Sequence, residues 1–317
     1  MKKTLIFIIL IILIIYIYIN YTMYKTSEQY CKYVSSYGIM KKCNIYSIKP
    51  ISSTKELTNY DFSKLFNNCS IYVCSSAIPH FIHMMNNINC SFILVSGDCD
   101  ESVPSNIFSS HNDFINFIES PKILHWYSQN YVITHPKISQ IPIGLDYHTI
   151  SSNFIHSWSI YMSSLNQEKL LDKIKNNSEP FWNRKIKCYA NFQFSMNSND
   201  RYDAFNSIIK DLVYYEKKKK NRKATWKEQI TYSFVISPHG NGLDCHRTWE
   251  ALCLGCIPIV KKSMLDPLFN ELPVLIVNNW NEISYDMLYN TIYTFKNMKF
   301  NYDKLLLKYW TDKFNKK

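Results

Sequence analysis

Glycine is scarce in this chain: six in 317 residues, where an average composition of about 7% would supply several times more. A sequence so sparing with glycine places it where no side chain fits: a tight turn, a helix end, or backbone pressed against a ligand. Other absences narrow the function. There is no Gly-x-Gly-x-x-Gly fingerprint and no Walker loop with its Gly-Lys-Ser/Thr, which excludes the common dinucleotide and P-loop phosphate sites. Neither a Gly-x-Ser-x-Gly elbow nor a His-Glu-x-x-His pair occurs, so hydrolase classes lack support. Acidic residues number 25 against 36 lysines and arginines, a net charge of +11. No zinc-finger, homeodomain or RNA-binding signature accompanies that charge, so nucleic acid is not an expected partner.

Three of the glycines, Gly240, Gly242 and Gly255, cluster in one segment. Ser233-Phe234-Val235-Ile236-Ser237 is short, apolar and β-branched, which suits a buried strand. A loop with Pro238, Gly240 and Gly242 follows, and Asp244 stands where a helix N-cap is expected. The helix reads from Cys245 to Leu254, with Gly255 as its C-terminal glycine and Ile257-Pro258-Ile259-Val260 as the next strand. Such strand–loop–helix–strand units bind ligands at the carboxyl ends of their strands, where free backbone N–H groups favour phosphate.

Read by face, Trp249, Leu252 and Cys253 pack on the sheet, while His246, Arg247 and Glu250 turn toward a cleft. The Arg247 fork suits a diphosphate, and the Glu250 carboxylate can accept two ribose hydroxyl hydrogens. The expected nucleotide-sugar set is therefore His239, Gly240, Asn241, Gly242, Asp244, His246, Arg247 and Glu250, with no metal. A plainer reading of the same residues is an i, i+3 ion pair on an exposed helix beside an ordinary glycine turn.

The run Phe234-Val235-Ile236-Ser237-Pro238-His239-Gly240, Arg247-Thr248-Trp249-Glu250-Ala251-Leu252 and Gly255-Cys256-Ile257-Pro258-Ile259-Val260 resembles the donor-binding signature of the exostosin family of glycosyltransferases. The likeness continues through Leu265-Asp266-Pro267-Leu268, Leu272-Pro273-Val274 and Asn279-Trp280-Asn281-Glu282-Ile283. It becomes patchy upstream, in Ile141-Pro142-Ile143-Gly144-Leu145-Asp146 and Tyr189-Ala190-Asn191-Phe192. The resemblance implies an α/β protein of GT-B type: two Rossmann-like domains facing a cleft, the nucleotide sugar held mainly by the second. Carried onto matching positions, it implies that Arg247 contacts the diphosphate and Glu250 the ribose, with inverting transfer. This chain departs from the family at Cys245-His246, where exostosins carry a small hydroxyl residue and proline.

In the amino-terminal half, Ser70 to Cys74 and Ser91 to Ser96 read as buried strands with a helix from Ile78 to Asn87 between them. Tyr131 to Thr134 and Ile141 to Gly144 read as further strands. Asn153 to Asn176 reads as largely helical, most clearly from Leu165 to Ile174, and Leu305 to Phe314 as a closing helix. Gly97-Asp98-Cys99-Asp100-Glu101 ends the second strand, and a paired carboxylate there is how metal-dependent GT-A transferases hold a divalent cation. Within the GT-B reading the same loop offers the base that takes the acceptor proton. Asp100 and Asp98 rank first as catalytic candidates alongside Arg247, with Glu101, His125, Asp146 and His148 as others. His80 and His83 share a helix but lack a third ligand.

A run from Leu5 to Tyr24, broken only by Asn20 and Thr22, reaches about 30 Å as a helix, enough to cross a bilayer. With Tyr16, Tyr18, Tyr21 and Tyr24 toward one interface and no small-x-small cleavage site, it reads as a signal anchor. The expected organisation is an anchor at 1–24, an acceptor-side α/β domain at 25–150 and a nucleotide-sugar domain at 151–317. The domain is expected on the lumenal side, where the ten cysteines permit a disulfide or two. The sequons at Asn68, Asn89 and Asn176 matter only there, and Cys253-Leu254-Gly255-Cys256 reads as packing. The basic stretch from Lys217 to Lys227 reads as a solvated loop, with an acidic glycan or an anionic membrane as its functional alternatives.

The expected function is transfer of a sugar from a UDP- or GDP-linked donor to a glycan or glycoprotein acceptor, without another cofactor. The alternatives are the GT-A enzyme using Asp98 and Asp100, or an inactive sugar-nucleotide-binding scaffold.

Overall fold

The computed structural model describes residues 9–14, 27–194 and 199–315. Two parallel sheets organise them. In the first, β1 (Cys69–Cys74), β2 (Phe92–Gly97), β3 (Ile123–Ser128) and β4 (Ile138–Gln140) lie in sequence order. A small antiparallel hairpin, β5 (Ile155–His156) and β6 (Ser159–Ile160), leads into the helix Ser164–Asn176. The second sheet contains β7 (Lys185–Ala190), β8 (Val213–Tyr215), β9 (Tyr232–Ile236), β10 (Ile257–Lys261) and β11 (Leu275–Val277), in the order β11-β10-β9-β7-β8. From β7 the chain steps outward to β8, then returns to place β9 on the other side. The strand order thus reverses between β7 and β9, the position at which open parallel sheets bind ligands.

The alternation along each strand explains why both faces are covered. Ile71 and Val73 of β1 and Phe92 and Leu94 of β2 enter one core, while Tyr72 and Val95 enter another. In the second sheet Phe234 and Ile236 face a third core and Val235 faces the shared one. Side chains of a strand point to opposite faces in turn, and parallel sheets bury both. The shared core joins the two halves through Trp226, Trp249, Trp310 and Phe314. Emptying one such site by truncation to alanine typically costs about 3–5 kcal/mol.

The α/β class expected from the sequence is what the chain adopts, with local corrections. Tyr131 to Thr134 forms no strand; Tyr131 makes only an isolated bridge with Val103. The strand expected at Ile141 to Gly144 lies earlier, at β4, and β3 was not anticipated because His125 interrupts its apolar run. Helix in 153–176 begins only at Ser164, where Ser163 caps it through Asn166 N at 3.4 Å. The closing helix Leu307–Phe314 returns to the first half: Leu307 N donates to Lys32 O at 2.9 Å, and Asn315 Nδ2 donates to Lys42 O at 3.0 Å. All ten cysteines are free thiols, so the expected disulfides do not form.

Among the described residues no helix is long and apolar enough to cross a membrane. Most of the anchor expected at 1–24 lies outside the described residues. Its described part, 9–14, is helical and presents exposed Ile and Leu side chains.

Candidate functional site

The strand–loop–helix–strand unit is present as β9, a loop at 237–245, the helix His246–Cys253 and β10. Ser237 Oγ and Thr248 Oγ1 lie 2.8 Å apart and tie the start of the loop to the helix. Gly240 N donates to Gly242 O at 3.1 Å, closing a tight turn. A Cβ on Gly242 would stand 3.2 Å from Asp100 Cα and 3.1 Å from Asp100 O, so the absence of a side chain lets the two halves approach closely here. At the far end Gly255 has φ +72°. Its N–H donates to Leu252 O at 3.0 Å and that of Cys256 to Ala251 O at 2.8 Å, a Schellman C-cap.

Asp244 differs from expectation. The helix N-cap is Cys245, without a side-chain cap bond. The buried Asp244 carboxylate instead accepts from Ile143 N at 2.7 Å and from Trp249 Nε1 at 2.9 Å. Asp244 N donates to Asn130 Oδ1 at 2.9 Å, so this residue fastens the loop to the first half. Burial raises its carboxyl to about 6 against those hydrogen bonds.

At the carboxyl ends of β7 and β9 two guanidinium groups come together. Arg247 Nε donates to Asn191 Oδ1 at 3.3 Å, and the guanidinium lies 5.7 Å from the centre of the Phe192 ring. Its Nη1 is buried without a hydrogen-bond partner among the described residues. Arg201, from the first turn of the helix Asp200–Ser207, donates through Nε to His239 O at 3.2 Å and through Nη1 to Gln193 O at 2.7 Å. A Cβ on Gly240 would sit 3.0 Å from Arg201 Nη2, so the cation underlies the glycine turn. Burial first, with Arg201 as a repelling neighbour, lowers the Arg247 pKa. Neither arginine is ion-paired among the described residues. An unpaired buried donor costs about 1–3 kcal/mol, so two uncompensated cations with such a donor favour an anion.

The loop is held open to that region from below. Asp200 Oδ2 accepts from His239 N at 2.9 Å, its Oδ1 accepts from Trp280 Nε1 at 2.8 Å, and Lys261 at the end of β10 lies 3.6 Å away. His239 is 3.7 Å from Asp200, and burial lowers its pKa. Asn241 is exposed at the tip.

Glu250 faces a second cluster. Its Oε1 lies 3.6 Å from Arg222 Nη2, and the same guanidinium is 3.8 Å from Asp146 Oδ2. Arg222 Nη1 also donates to Gln167 Oε1 at 2.6 Å. Asp146 is buried, yet His148, His246 and Arg222 overcome that burial and hold its carboxylate below the usual range. Burial holds the His148 imidazole down at about 4, and its ring stacks on Tyr37 at 4.1 Å between centroids. His246 Nδ1 lies 2.7 Å from Gly144 O. Thus Asp146, His148, His246, Arg222 and Glu250 converge at the junction of the halves, one helix face away from Arg247.

The other candidates are placed elsewhere or apart. Asp98 adopts φ +58°, and its carboxylate turns inward to accept from Ser52 Oγ at 2.7 Å; burial raises it to about 7. Asp100 is exposed, its backbone against Gly242. Glu101 is half-buried. His125 Nε2 lies 2.9 Å from Ser139 Oγ within the first sheet, and His80 Nδ1 accepts from Leu57 N at 3.3 Å. Among the described residues no three His, Cys, Asp or Glu side chains are grouped to hold a metal.

Arg201, Arg222, Asn130 and Asn191 were not anticipated. Arg222 falls in the basic stretch, whose Lys217, Lys218, Lys219, Lys223 and Lys227 are exposed as expected. Its helical spacing with the buried Trp226 and Gln229, at i+4 and i+7, is the signal that singles it out.

No family model matches the chain, and no curated protein matches it. Among solved structures, an α1,3-fucosyltransferase with GDP aligns over 88% of this chain and 94% of its own, at 13% identity and a TM-score of 0.39. A likeness that slight carries no argument.

Proposed function

We propose that this chain is a nucleotide-sugar-dependent glycosyltransferase of GT-B plan. It moves a sugar from a UDP- or GDP-linked donor to a glycan or glycoprotein hydroxyl. The observation that carries the reading is the buried Nη1 of Arg247 beside Arg201, at the reversal of strand order, where among the described residues the first has no hydrogen-bond partner and the second no ion-pair partner. Two fixed cations aimed at a departing diphosphate supply the charge stabilisation that other transferases draw from a divalent ion. Loop N–H groups around Gly240 and Gly242 add to it, and Glu250 receives the ribose hydroxyls. Inversion follows from the exostosin resemblance. The exposed apolar residues 9–14 support a membrane anchor at 1–24.

Glu250→Ala tests the donor site without dismantling it, because Arg222 keeps Asp146 and Gln167 as partners. Loss of hydrogen bonds to a charged acceptor is worth about 1.5–3 kcal/mol, or roughly tenfold to a hundredfold in nucleotide affinity. Calorimetric titration with UDP and GDP should show that loss alongside an unaltered melting transition. Equal affinity in variant and parent removes Glu250 from the site.

A further inference from the structure

The glycosyl transfer proposed above needs a group that takes the proton from the attacking hydroxyl, and the Asp98–Glu101 loop is poorly arranged to supply it. Asp98 is committed to Ser52 and turned toward Met40, Tyr72 and Cys74, all within the first half. Asp100 is exposed, and no side-chain hydrogen bond among the described residues orients it. His246 is better placed. It is the first residue of the helix that carries Arg247 and Glu250, and its ring reaches across to the first half.

The 2.7 Å approach of Nδ1 to Gly144 O settles its tautomer: a carbonyl oxygen can only accept, so Nδ1 carries the hydrogen. Nε2 is then the basic nitrogen, and no hydrogen bond among the described residues engages it. His148 lies edge-on at 6.2 Å between ring centroids. The titratable groups that interact with the ring are Asp146 and His148 from the first half and Asp244 from the second. His148, His246 and Arg222 keep Asp146 ionised beside this pair of rings.

Resting on the donor-site reading, we propose that His246 is the catalytic base. As the incoming oxygen forms its bond to the anomeric carbon, its proton passes to His246 Nε2. The bond from that carbon to the diphosphate oxygen breaks, and the electron pair leaves on the diphosphate held by Arg247 and Arg201. The sequence departs from the exostosin pattern at this position, which makes the base a property of this chain.

Water serves as acceptor in the test. The full-length protein in detergent is assayed for hydrolysis of UDP- and GDP-sugars, with nucleotide binding measured in parallel. His246→Gln should lower the hydrolysis kcat by about 10²–10⁴-fold, leave UDP or GDP affinity within about threefold, and abolish the acidic limb of the kcat–pH profile. Because the variant loses the anchor to Gly144, His246→Ala with added imidazole serves as a second arm and should recover part of the rate. Hydrolysis within tenfold of wild type in His246→Gln overturns the assignment, as does a parallel loss of nucleotide affinity and rate that imidazole does not restore. Absence of nucleotide binding by the wild type overturns the donor site itself, and the base with it.

Discussion

Arg247→Ala should weaken UDP or GDP binding by about a hundredfold and leave the protein folded, or slightly more stable. Charge-assisted bonds to phosphate contribute about 1.5–3 kcal/mol each, and each 1.4 kcal/mol is tenfold in affinity. The stability half of the expectation is less usual. In the free protein Arg247 carries a buried donor without an acceptor and is repelled by Arg201. Deleting it relieves both costs, against the loss of the 3.3 Å bond to Asn191 and the contact with the Phe192 ring. Arg247→Lys should recover only part of the affinity, since an ammonium cannot present a planar fork. Titration calorimetry with thermal denaturation separates the two effects. A variant that binds as tightly as the parent removes the diphosphate from this site, and one that unfolds makes Arg247 a structural residue.

Asp244→Ala should act in the opposite way, chiefly on stability. It strands the Ile143 and Trp249 donors in the interior, at about 1–3 kcal/mol each. Roughly 2–6 kcal/mol is expected to be lost, measurable by urea unfolding. The pH dependence supplies a sharper sign. The Asp244 carboxyl is raised from 3.8 to about 6 in the fold. The stability it contributes is therefore fullest below pH 3.8 and falls as pH rises through about 6, because the native state holds the proton longer. In Asp244→Ala that share of the decline between pH 4 and 6 should vanish. A wild-type slope retained by the variant, or an undiminished unfolding free energy, contradicts the role given to Asp244.

The contrast between these two residues shows what the sequence made legible. The unit around Arg247 was readable because its signals are local: a β-branched run, glycines at the turn and the cap, and an amphipathic helix between them. Asp244 was misread because aspartate before a helix has a strong local meaning as an N-cap. Its actual partners, Ile143 and Trp249, include one a hundred residues away on the other half. Arg222 shows the same difficulty from the other side. It sits among lysines that are solvated, yet one helical turn carries it inward to Asp146 and Glu250. Arg201 and Asn191 meet Arg247 only because β7 and β9 are neighbours in the sheet, which no spacing along the chain reveals. Asp98 and Asp100 looked equivalent in sequence, but the positive φ at Asp98 turns its side chain under the loop while Asp100 stays outside.

Metal-independent transfer at the paired arginines is tested most directly by hydrolysis of a panel of UDP- and GDP-sugars by the full-length protein, each run with and without EDTA. One donor should be hydrolysed at the same rate in both, because Arg247 and Arg201 supply the charge at the diphosphate. Hydrolysis that EDTA abolishes and manganese restores would contradict it, and would move the chemistry to a cation at Asp98 and Asp100.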